Sequence, residues 1–177
     1  MNIIIFGKQG CGKGTQAAKL AQKFGIPAVS VGNRLRELVA SGSELGLKLK
    51  SYMDKGELVP FEINVAIVKE LIDTHPQGMI LDGFPRNKEQ AAWLAKEWQV
   101  DVVIELEISD EEAIRRILER AAIEHRSDDT PEVIQKRLDI YHHETEPLKH
   151  LLSAKKIIII DGSGSIEAVF EQICKKL

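Results

Sequence analysis

"GKQGCGKGTQ" spans residues 7–16 and follows directly on the apolar run "IIIF" at residues 3–6. A strand, a Gly-rich loop and then a helical pattern is the context a phosphate-binding loop requires. Glycines let backbone N–H groups turn inward, and the N-terminus of the following helix adds partial positive charge for a polyphosphate. Four glycines and two lysines crowd residues 7–14, which a plain strand-to-helix turn does not need. Gly7, Gly12 and Lys13 fit the general pattern of Gly, four residues, Gly, Lys and then Ser or Thr. Gly14 stands where the hydroxyl belongs, and Thr15 brings it one place late. In many hydrolases with such a loop that hydroxyl sits on magnesium. Here any metal must lean on another residue.

Working outward, short Ile/Val runs recur at 2–6, 28–31, 78–82, 101–108 and 157–161. Near-continuous apolar strands are those buried on both faces, as in parallel sheets. Helical spacing fills the intervals, including 14–24, 60–74, 88–98, 110–121, 131–151 and 166–176. Alternation of this kind predicts right-handed crossovers and a three-layer α/β fold with a five-stranded parallel sheet. Residues 32–74 break the alternation with three helical patterns in a row, punctuated by Gly42, Gly46 and Gly56, with Pro60 suited to a first turn. They predict a small helical insert on the rim. "AAIEHRSDD" (121–129) reads as a short lid loop between two helices.

The 177 residues suit one domain. A net charge of −3 gives no electrostatic case for nucleic acid or an anionic membrane. The apolar runs fall far below the ~20 residues that span a bilayer. The first strand begins at residue 2 or 3, with no basic–apolar–small leader before it. Cys11 and Cys174 show neither zinc nor disulfide spacing, and the expected compartment is the cytoplasm. Cys11 reads as a small loop residue. His142, His143 and His150 share one polar helical stretch without metal-ligand spacing and read as surface residues.

Three further motifs extend the loop's message. "LDGFPRNKEQ" (81–90) closes a strand and enters a helix, with Asp82 at a strand's carboxyl end, where it can hold magnesium or its waters. Of eight arginines, Arg116 and Arg120 are four apart and share a helix face. Phosphoryl transfer offers a protein little covalent chemistry, so positioned cations carry most of the catalysis, and planar guanidiniums suit the task. Arg34 and Arg115 read as surface ion-pair residues. "SDDTPEVIQKRL" (127–138) leaves the lid, with Thr130 and Pro131 forming a good helix start.

Loop, FPR turn, arginines and lid exit together resemble the adenylate kinases and their nucleoside monophosphate kinase relatives, over essentially the whole chain. The resemblance implies a P-loop NTPase fold with a core at 1–29, 60–120 and 130–177, a helical NMP-binding insert at about 30–59 and a short lid at about 121–129. It implies reversible Mg2+-dependent transfer from ATP to AMP, giving two ADP, by a chain that is a monomer by default. By it, Lys13, Arg86, Arg120, Arg126, Arg137, Asp128 and Asp129 are catalytic. Gly10, Cys11, Gly12, Lys13, Gly14 and Thr15, with Arg116, Arg120 and Gly164, hold ATP. AMP falls to Val31, Arg36, the Glu57-Leu58-Val59 turn, Gly83, Phe84, Pro85, Arg86 and Gln90, with Arg126 and Arg137. Asp82 holds magnesium through its waters. Six positions separate Arg120 from Arg126, as in short-lid members.

The acceptor site departs from the family pattern. Val31 replaces a threonine that bonds the acceptor, Asn33 replaces an aspartate, and Gln9 stands where the loop has proline. UMP/CMP-type relatives share a small non-threonine residue at position 31 and the asparagine at 87. Gln90 and "GELVP" (56–60) keep the adenine-reading pattern, so AMP is the expected acceptor and a pyrimidine monophosphate the alternative. A GTPase-type switch is opposed by Gly14 and by "NKEQ" (87–90), which has glutamine where a guanine-reading aspartate belongs.

Overall fold

The run Ile3–Phe6 (β1) is buried at every position, the condition of a strand covered on both faces. The computed structural model describes residues 1–124, 129–150 and 154–177. In it β1 is the central strand of a five-stranded parallel sheet. The sheet runs in the order β2 (Ala28–Ser30), β3 (Ile80–Asp82), β1, β4 (Val100–Glu107) and β5 (Ala154–Asp161). Ile3 is in register with Ile80 on one side and Val102 on the other. After β1 the chain turns towards β2 and β3, and it crosses to the other side only after β3. The carboxyl ends of β1 and β3 therefore flank the topological switch point, where α/β sheets open a crevice.

Alternate side chains of β1 serve two cores. Ile4 and Phe6, with Leu81 and Val103, pack against α4 (Phe61–Thr74) and α5 (Lys88–Glu97) through Val68, Leu71 and Leu94. Ile3 and Ile5, with Ile80 and Ile104, pack against α1 (Lys13–Phe24), α6 (Asp110–Glu124) and α8 (Ile166–Lys176) through Leu20, Ile117 and Ile173. These are the expected three layers. Among the described residues no helix is long and apolar enough to cross a membrane.

The expected run of helices without a strand is α2 (Val31–Ala40), α3 (Glu44–Asp54) and α4. Val31, expected to end β2, is instead the first residue of α2, because Ser30 caps that helix by accepting from the Asn33 N–H at 3.4 Å. Helix 131–151 is also shorter than its pattern. It stops as α7 at Pro131–Ile140 and continues as a π turn at Tyr141–Thr145 and a 3₁₀ segment at Glu146–His150. Pro147 explains the break: it has no N–H to donate, and its ring would meet the carbonyl four residues earlier.

Glycine is required at one point of the insert. A Cβ on Gly46 would stand 2.3 Å from the Leu38 carbonyl oxygen, where the start of α3 presses on α2. Gly46→Ala is expected to cost about 1–3 kcal/mol in denaturant unfolding, the usual range for overpacking. A variant as stable as the parent would show that the two helices are free to separate.

Candidate functional site

The loop after β1 is shaped by backbone that only glycine adopts easily. Gly10 and Gly12 have φ of 84° and 94°, and a Cβ on Gly10 would sit 2.7 Å from the Ala113 carbonyl oxygen on α6. Gly12 caps α1 with no side chain to offer, and the first turn holds no acid. The amide end of α1 thus faces outward with its positive dipole unopposed. Lys13 Nζ donates to the carbonyls of Gly7 and Lys8, both at 2.8 Å, and so lies along the loop. Cys11 is buried, and that burial pushes its thiol pKa up. It fills space and is not poised as a nucleophile.

Asp82 ends β3 beside this loop. It is 9% exposed, and its Oδ1 is buried without a hydrogen-bond partner among the described residues. A Cβ on Gly14 would be 4.0 Å from its Oδ2. A side chain at position 14 would stand in ordinary contact with the carboxylate, whereas glycine leaves that side open. An orphaned oxygen of this kind suits a hard cation. No group of three or more His, Cys, Asp or Glu stands together among the described residues.

On the other side of β3, Arg86 Nε donates to the Gly83 carbonyl at 3.0 Å, and its backbone is fixed twice. Its N–H donates to Gln90 Oε1 at 2.8 Å, and its carbonyl accepts from Thr145 Oγ1 at 2.7 Å. Asn87 caps α5 through the Gln90 N–H at 2.9 Å. With Oε1 committed, Gln90 turns its amide donor end to the cleft. Desolvation in the cleft, followed by the Arg137 and Arg36 cations, lowers the pKa of Arg86. Arg36 Nη2 donates to Asn33 Oδ1 at 2.5 Å. Glu57 bonds Lys136 on α7 at 2.9 Å, a link from insert to core. Asn64, buried and unnoticed in the sequence because its neighbours spell an ordinary amphipathic helix, donates to the Val59 carbonyl at 2.7 Å.

Asp129 joins the remaining cations. Its fully buried carboxylate accepts from Arg120 Nη2 at 2.6 Å and from Arg137 Nη1 at 3.1 Å. Gln9, unexplained by the sequence, bonds both sides of this pair: Nε2 donates to Asp129 Oδ1 at 3.2 Å, and Oε1 accepts from Arg137 Nη1 at 3.3 Å. Arg116 is held by Glu112 and by the carbonyls of Gly162 and Ser163 at 2.6, 2.9 and 3.2 Å. Its edges are occupied while its flat face remains. Arg34 and Arg115 make the expected surface ion pairs. Arg126 and Asp128 lie outside the described residues.

These side chains meet in one cleft of about 810 Å³ at the switch point, in the size range of ligand sites. Loop residues 10–15, Val31, Arg36, 57–59, 82–86, Gln90, Arg116, Arg120, Arg137 and Gly164 all line it. Asp129 is not part of the lining. Residues 5–157 match the family model described as adenylate kinase. An adenylate kinase of Thermobifida fusca is 44% identical, with 97% of this chain and 95% of the relative covered. One of Bacteroides fragilis is 39% identical over 99% and 97%. One of Methanosarcina acetivorans is 40% identical over 98% and 96%.

His142 lies at the surface as expected, its side chain 36% exposed, but within a charged network; His143 is exposed as expected, and the His150 side chain is outside those described. His142 Nδ1 meets Glu146 at 2.8 Å and Nε2 meets Asp110 at 3.0 Å. Asp110 also bonds Lys8 of the loop. Hydrogen bonding to Glu146 and then to Asp110 raises the His142 pKa, against desolvation and the Lys8 charge, while Lys8 foremost lowers that of Asp110. A raised histidine pKa stabilises the fold fully below about 6.5, the unfolded value, and the gain disappears as pH rises through the folded value. His142→Gln should therefore lower the melting temperature more at pH 5.5 than at pH 9, measured by thermal melts of both proteins. An equal loss at both would remove the charged histidine from the account.

Proposed function

The chain belongs to the adenylate kinase family and is a nucleoside monophosphate kinase, and on that premise we propose that it moves the γ-phosphoryl group of Mg·ATP to AMP, giving two ADP. The observation that carries this reading is the crowd of cations in one cleft. Arg36, Arg86, Arg120 and Arg137 all line it; burial first, then the Arg137 and Arg36 charges against the pull of Asp82, lowers the Arg86 pKa, and the open amide end of α1 lines the same cleft. Such an array is built for anions on both sides of a transfer.

The loop amides and Lys13 hold the donor phosphates, and the flat face of Arg116 carries the donor base beside Gly164. Arg36 and Arg86 hold the acceptor phosphate. Arg86, Arg120, Arg126 and Arg137 neutralise charge on the group in flight, and Asp128 and Asp129 hold the arginines in place. No side chain becomes covalently attached, because the acceptor's own phosphate oxygen attacks. Magnesium, when bound beside Asp82, neutralises donor phosphate charge. The insert at 30–59 and the lid at 121–129 close to exclude water, which would otherwise compete as acceptor. We place the activity in the cytoplasm, in a monomer.

AMP as acceptor is supported by Gln90, whose free amide donor suits the N1 acceptor of adenine. Buried Val31 supplies no hydroxyl, so base selection falls to Gln90 and the Val59 turn. An acceptor panel of AMP, UMP, CMP and GMP with Mg·ATP tests this: AMP should turn over fastest, and a faster pyrimidine would assign the site to UMP or CMP. Arg86→Lys should lower kcat by about a hundredfold, as loss of one positioned donor does, with thermal stability little changed. Asp82→Asn should raise the magnesium needed for half-maximal rate by about tenfold, the scale of ligand-orienting contacts. An unchanged magnesium dependence would remove Asp82 from the metal site.

A further inference from the structure

Gln9 lines the cleft from the donor-side loop. The loop around it presses on α6 so closely that a Cβ on Gly10 would meet a backbone oxygen at 2.7 Å. From this fixed point its carboxamide reaches the lid exit and α7, on segments 120 and 128 residues away in sequence. Asp129 Oδ1 is an acceptor only, and Arg137 Nη1 is a donor only. A side chain that bonds both members of that ion pair must carry a donor and an acceptor on one short end, and the Gln9 amide does so at 3.2 and 3.3 Å. Arg120 is tied to the same carboxylate at 2.6 Å.

We infer that Gln9 is a positioning residue: it fixes the distance between the donor-binding loop and the Asp129–Arg120–Arg137 group, and so sets where those arginines meet the transferring phosphoryl. This rests on the reaction proposed above. The role is geometric, because Gln9 adds no charge and its amide is taken up by Asp129 and Arg137. It therefore acts on the arrangement reached in the transition state more than on ground-state binding.

Gln9→Met keeps the bulk and removes the amide, while Gln9→Ala removes both. Steady-state kinetics with ATP and AMP varied separately, normalised to folded protein, should give a kcat about tenfold lower in both variants, the scale of one lost hydrogen bond to a charged group. KM for each nucleotide should stay within about threefold, since the binding groups themselves remain. A Gln9→Met enzyme whose kcat per folded molecule matches the parent would overturn the inference, even if its melting temperature fell, because the amide would then be structural only. A rise in KM for ATP at unchanged kcat would also overturn it, marking Gln9 as a simple donor ligand. A parent that fails to phosphorylate AMP would refute the reaction and this inference together, whereas an active parent with unaffected variants refutes the inference alone.

Discussion

Guanidinium groups repel one another, and this cleft is lined by those of Arg36, Arg86, Arg116, Arg120 and Arg137. Everything else in the molecule answers to that constraint. Asp129 takes up part of the repulsion by accepting from Arg120 and Arg137 at once, with its carboxylate fully buried. Breaking such a buried set by removing the acid leaves uncompensated charge, which is costly. Among the described residues Arg86 has no such ion pair, although the Asp82 charge acts on it from nearby. Its backbone is pinned by Gln90 and Thr145, and its guanidinium is held against the Arg137 and Arg36 cations.

The sheet makes this arrangement possible. With β1 central and flanked by β3 and β4, the loop after β1 and the turn after β3 open at the same edge. Asp82 thereby comes beside Gly14, although the two are far apart in sequence. The glycine at position 14 thus faces an acid on the neighbouring strand that has an orphaned oxygen.

Most of the fold was legible because its causes are local. Runs such as Ile3–Phe6 cannot be anything but buried strand, and glycines at 7, 10, 12 and 14 have few uses other than a phosphate loop. The FPR turn and its arginines were legible for the same reason, since residue type and spacing carry their chemistry. What stayed hidden depends on contacts between distant segments. Gln9 was an oddity until the lid exit was seen beside it. The network around His142 stayed hidden because Asp110 lies 32 residues away in sequence, while Glu146, four residues on, gives only an ordinary helical pair. Asn64 hid within an amphipathic pattern that its buried amide does not disturb.

The central claim is that one cleft holds two nucleotides at once, with the arginines between them. Calorimetric titration of the protein with ADP in the presence of magnesium counts them directly. Two nucleotides bound per chain, at affinities that weaken as salt screens the cations, is the result this account predicts. A single nucleotide per chain at saturation would contradict it.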